Sequence, residues 1–102
     1  MARARGLTLE DLRTRREEIL RIAARHGARN IRIFGSVAHG RARPDSDVDF
    51  LVEFEADRTV LDLSGLVLDL REALDREVNV VESGNGKTSP IAQRIEREAV
   101  PL

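Results

Sequence analysis

Two rhythms of apolar residues alternate along the chain, one with the three- and four-residue steps of a helix and one with the two-residue step of a strand. Thr8-x-x-Asp11 forms a capping-box pattern that opens a first helix carrying Leu12, Ile19, Leu20 and Ala23, which Gly27 stops. The run Asn30 to Phe34 then predicts a strand over about Ile31 to Phe34. Gly35 ends it, and Ser36 opens a short helix through Val37 and Ala38. Arg41 to Ser46 is turn chemistry, and a second strand follows from about Val48 to Phe54. Leu63, Leu66, Val67, Leu70 and Leu74 make the best amphipathic helix of the chain, spanning Val60 to Leu74 and fit to cover one face of a sheet. Any excess width of its stripe would become a dimer or partner surface. A third strand is predicted over Glu77 to Glu82, then a loop over Ser83 to Lys87. A last helix has Ser89 as its cap and Pro90 in its first turn. The αβαβαβα order predicts an α/β (α+β) fold, a small mixed sheet backed by helices, in one domain over 1–102.

Composition narrows the class. The chain has 102 residues, room for one core and little for a separate recognition module. Lys and Arg total 17 against 18 Asp and Glu, a net charge of −1 that does not support general nucleic-acid binding. No cysteine is present, so neither a disulfide nor a cysteine-ligated zinc staples the fold. Met1 to Gly6 is charged and unlike a signal sequence, and no run is long and apolar enough to span a bilayer, so a cytoplasmic location is the expectation.

The candidate chemistry sits between the first two strands. Asp47 and Asp49 flank Val48 at the start of an apolar strand, where alternation points both carboxylates to one face. Two hard oxygen donors on one face suit Mg²⁺, which fills its other positions with water and substrate phosphates. Upstream, Gly35-Ser36 at a helix start offers free backbone N–H groups, close approach and a hydroxyl to a nucleotide's phosphates. Each feature also fits a plainer assignment. Asp47 and Asp49 also fit solvated turn residues after Pro44-Asp45-Ser46. Asp45-x-Asp47-x-Asp49 imitates a calcium loop but places Phe50 where glycine is needed and Ala56 where glutamate is needed. Gly86-Lys87-Thr88 imitates the end of a P-loop, with Val81 at the earlier glycine position. Lys87 remains able to approach a phosphate if its loop folds over. His39 suits a surface role, whereas Arg41 and Arg43 divide evenly between phosphate contacts and solvent-facing charges.

Ile31 to Val52, reading IRIFGSVAHGRARPDSDVDFLV, resembles the signature of the minimal nucleotidyltransferases of the DNA polymerase beta superfamily. Gly35, Ser36, Asp47 and Asp49 match its G-S-x10-D-x-D pattern position for position, and Arg97 to Leu102 resembles the ending of such proteins. The resemblance implies the nucleotidyltransferase fold, ATP or another nucleoside triphosphate as substrate, and Mg²⁺ held by Asp47 and Asp49. It also implies transfer of AMP to a protein hydroxyl, by a chain that serves as the antitoxin of a HEPN-type toxin and assembles as a homo- or hetero-oligomer. Arg21 and His26 echo the R-x4-H ribonuclease motif of HEPN domains themselves, but those are all-helical, so the match is attributed to chance.

One position departs from the family. Active relatives carry a third catalytic carboxylate on the strand after the long helix, and the aligned stretch Val78-Asn79-Val80-Val81 places Asn79 there. An amide oxygen ligates weakly and cannot serve as a general base. Slow transfer with two carboxylates, substitution by Glu77 or Glu82, and nucleotide binding without turnover all stay open. Glu82 falls on the opposite face of an ideal strand and needs a bulge to reach the site. The competing expectation is a catalytically weak or inactive nucleotide-binding antitoxin that neutralises its toxin by occlusion.

Overall fold

Helix starts follow their capping residues in the computed structural model, which describes residues 6–84 and 89–102. Thr8 and Asp11 form the reciprocal capping box that opens α1 (Leu9–Thr14). Helix α2 (Arg16–Arg25) follows α1 with only Arg15 between them. The single first helix expected from the periodicity is therefore two. At the break, Arg15 (φ −108°, ψ 20°) donates to the Ala73 carbonyl at 2.6 Å and to Glu18 at 2.7 Å. Ala73 belongs to the last turn of a helix, where carbonyls lack intrahelical partners, so a distant element receives this arginine. Leu12, Ile19, Ile22 and Ala23 fall on one stripe of a continuous helix as well as of a broken one, which is why spacing alone hides the break.

Strand β1 (Ala28–Phe34) starts three residues earlier than expected, through an irregularity at which Asn30 takes φ 51°. Asn is among the few residues that visit this region readily, and its side chain bonds Glu53 at 2.6 Å. The short helix α3 (Gly35–Ala38), strand β2 (Val48–Phe54) and helix α4 (Val60–Leu74) follow. Helix α4 opens on a second capping box, Thr59 with Asp62, and ends at Asp75 in the left-handed region. Strand β3 (Val78–Glu82) leads to α5 (Pro90–Glu98), capped by Ser89, and to a two-residue strand β4 (Val100–Pro101). Gly86 and Lys87 lie outside the described residues.

The sheet order is β3-β2-β1-β4, with β1 antiparallel to β2 and β4, and β3 parallel to β2. The observed order ααβαβαβαβ exceeds the expected one by the split helix and by β4, too short and too proline-marked to register as a strand. One face of the sheet packs on α2 and α4. Ile31, Ile33, Val48, Phe50, Val52 and Val78 join Ile19, Ile22, Leu66 and Leu70 in one buried cluster. Leu51, only 1% exposed, belongs to the opposite face and stands outside that cluster. Arg32 shares that second face and bonds Glu96 at 3.2 Å, so α5 covers it. The candidate site residues Asp49 and Asn79 lie on this second face.

Candidate active site

The register brings the predicted residues together. Phe34 pairs with Asp49 across β1 and β2, and Asp49 pairs with Asn79 across β2 and β3. Asp49 and Asn79 therefore lie side by side on one face. Asp47, just before β2, joins them: the Asn79 amide nitrogen donates to Asp47 Oδ2 at 3.2 Å and to Asp49 Oδ1 at 3.0 Å.

Gly35 follows Phe34 directly, so the turn begins beside Asp49. With φ 76° it occupies a conformation side chains disfavour, and a Cβ there would stand 2.2 Å from Asp49 Oδ2. Sequence reasoning assigned this glycine to close approach of a phosphate. In the fold, the group pressed against it is the carboxylate of Asp49. The Gly-Ser turn and the acidic pair are thus one site. Helix α3 starts at Gly35, one residue earlier than expected, and the Ser36 carbonyl accepts from the Arg41 N–H at 2.8 Å, folding the following loop back. A second turn, Arg43 to Ser46, closes through Ser46 Oγ, which accepts from the Arg43 N–H at 2.8 Å, and sets Asp47 just before the start of β2, an inner strand.

Burial holds the carboxyl of Asp49 above its usual proton affinity. The Asn79 hydrogen bond opposes that shift and the neighbouring Asp47 charge adds to it. A cation at the pair would relieve both the burial cost and the repulsion. The donor set, two carboxylates and an amide with an oxygen of its own, fits a hard divalent cation. No cluster of three His, Cys, Asp or Glu suited to a metal occurs among the described residues. Neither proposed substitute completes one. The Glu77 carboxylate is held by Arg71 at 2.7 Å, and Glu82 pairs in regular register with Val52, on the face opposite Asn79.

The remaining candidates separate from the site. His26 Nε2 lies 2.7 Å from Asp69 Oδ2 and its ring presses on Gly65, where a Cβ would come within 2.7 Å of it. This histidine braces α2 against α4, in keeping with a chance match to the ribonuclease motif. His39 pairs with Glu98 of α5 at 3.5 Å. Sequence reasoning missed Arg32, whose guanidinium bonds Ser83 at 2.9 Å and Glu96 at 3.2 Å while its Nε is buried without a partner. A signal existed, because Arg32 is the one charge inside the apolar run Ile31 to Phe34 and shares the alternation parity of Phe34, which pairs with Asp49.

Comparison with known proteins gives the family and the fold. Residues 16–101 match the nucleotidyltransferase domain family. A protein adenylyltransferase, MntA, of Thermococcus cleftensis is 39% identical over 99 residues, covering 92% of this chain and 95% of its own. A Methanocaldococcus jannaschii protein named as a candidate protein adenylyltransferase, MJ0435, is 38% identical over 87 residues, covering 85% of this chain and 92% of its own. The solved structure of a candidate minimal nucleotidyltransferase superposes with a TM-score of 0.80 at 48% identity, covering 94% of this chain and 97% of that one. A chain of a toxin–antitoxin crystallised with AMP-PNP shares the fold, with a TM-score of 0.70 at 21% identity over 83% of this chain and 69% of that one. Among the described residues, no helix is long and apolar enough to cross a membrane.

Proposed function

Since the chain belongs to the nucleotidyltransferase domain family, we propose that it transfers AMP from Mg²⁺-bound ATP to a hydroxyl of a partner protein, a HEPN-type toxin that it restrains as an antitoxin. The single observation that carries this is the packing of Gly35 against the Asp49 carboxylate, which makes a phosphate turn and an acidic pair one constellation. Kinship with the Thermococcus protein adenylyltransferase supports AMP as the transferred group and a protein as the acceptor.

Asp47 and Asp49 would hold the metal, and a Mg²⁺ ion bound there would supply positive charge against the charge that builds up during phosphoryl transfer. Gly35 and Ser36 orient the β- and γ-phosphates through backbone N–H groups and the Ser36 hydroxyl. The acceptor oxygen forms a bond to the α-phosphorus as the bond to the β-phosphate oxygen breaks, and pyrophosphate leaves in line. The acceptor's proton passes to water or to a site carboxylate, because the amide of Asn79 cannot take it. Asn79 also favours a second reading, in which the site binds nucleotide without turnover and the toxin is neutralised by occlusion.

Intact mass spectrometry of the partner, co-expressed with this chain or with its Asp47→Ala, Asp49→Ala double variant, separates the two. Transfer predicts a mass increase of one or more AMP units with the intact pair alone. A partner that stays unmodified yet is silenced by both versions contradicts transfer and supports occlusion.

A further inference from the structure

Resting on that assignment of the acidic pair, we propose that Asn79 is a clasp that stands in for the cation: its amide holds Asp47 and Asp49 together in the unloaded protein and turns over when metal arrives. One nitrogen donates to both carboxylates, at 3.2 and 3.0 Å. Its two hydrogens thus occupy the space between the two acids, where a shared cation would stand. Asp49 has little freedom, whereas Asp47 is exposed and is held to it by the Asn79 amide. Asp49 is backed by Gly35, with no room for even a methyl group, and its β3 neighbour in register is Asn79 itself.

A divalent ion and the positive end of the amide dipole cannot share that space. Rotation about the terminal side-chain torsion, which is broad for asparagine, exchanges the nitrogen for the oxygen. The donor then becomes a neutral third oxygen ligand. Two consequences distinguish this chain from one with aspartate at the position. The unloaded site carries two negative charges joined by hydrogen bonds rather than three that repel. Loading must break both bonds and gains no third charge, so the cation is held more weakly. The clasp therefore exchanges metal affinity for stability of the empty site.

The test uses the full chain without nucleotide or partner. Thermal unfolding and calorimetric titration with Mn²⁺ and Mg²⁺ are compared for wild type and Asn79→Asp. Asn79→Asp should melt at a lower temperature than wild type in chelator, bind Mn²⁺ at least about tenfold more tightly, and gain more in melting temperature on loading. In wild type, side-chain amide NMR adds a readout that a purely structural asparagine would not move. The chain has three asparagines, Asn30, Asn79 and Asn85. Only the Asn79 amide pair should shift strongly with Mg²⁺, in step with the binding curve. Equal affinities for the two proteins, an unchanged melting temperature in chelator, or an Asn79 signal that ignores Mg²⁺ would overturn the clasp while leaving the metal assignment standing. No cation binding by either protein would overturn that assignment, and the clasp with it.

Discussion

At the scale of single residues, the site depends on a missing atom. Gly35 is required both by its positive φ and by the Asp49 carboxylate that occupies the place of a Cβ. Gly35→Ala should lower stability by about 1–3 kcal/mol and reduce transfer at least tenfold, because the added methyl group must push the Asp49 carboxylate aside. Denaturant unfolding and a transfer assay check the two effects, and a variant with normal stability and activity would contradict this packing. Asp47 and Asp49 were legible in the sequence because strand alternation alone puts both acids on one face, and Asn79 was legible through the family resemblance, which implies a third site residue on the strand after the long helix. The hydrogen bonds of Asn79 were not. They depend on the strand order and on parallel register, which pair residues thirty or more positions apart.

At the scale of elements, α5 is tied across the second sheet face by charge. Glu96 accepts from Ser83, Gly84 and Arg32, and these partners, the Ser83 hydroxyl foremost, hold its carboxyl below the usual range against partial burial. A carboxylate with lowered proton affinity stabilises the fold in full above its unfolded value of about 4.3, and that contribution fades as pH falls through the lower folded value. Glu96→Gln should therefore cost about 0.5–1 kcal/mol at pH 7, modest because the side chain is partly open to solvent. The gap to wild type should shrink as pH falls below about 4. Unfolding curves across that range check it, and a pH-independent gap would assign the cost to something other than charge. Strand β2 and helix α4 were legible to the residue, because long periodic runs bounded by turn chemistry or a cap leave little choice. The break at Arg15 and the strand β4 were not. Each is set by a tertiary partner, Ala73 for Arg15, and for β4 the strand β1 together with Arg13, which bonds the Pro101 carbonyl at 2.8 Å.

At the scale of the whole molecule, the two sheet faces divide the work. The face under α2 and α4 is a continuous apolar core, and the other carries the site and α5. Any excess width of the α4 stripe was expected to become a dimer or partner surface. Leu66, Leu70 and Leu74 are buried, while Leu61 and Leu68 remain 81% and 58% exposed on the outer side of the same helix. The mixed sheet followed from sequence patterning, whereas its order β3-β2-β1-β4 did not, since hydrophobic alternation says which face a residue takes but not which strand lies beside it. The central claim is that the joined turn and acidic pair move AMP. Its most direct test supplies purified chain, partner and Mg²⁺ with ATP labelled at either the α- or the γ-phosphate. The account predicts α-label fixed on the partner, γ-label released as pyrophosphate, and both lost in Asp47→Ala and Asp49→Ala proteins that still fold. Label from neither phosphate on the partner, or α-label that survives both substitutions, would contradict it.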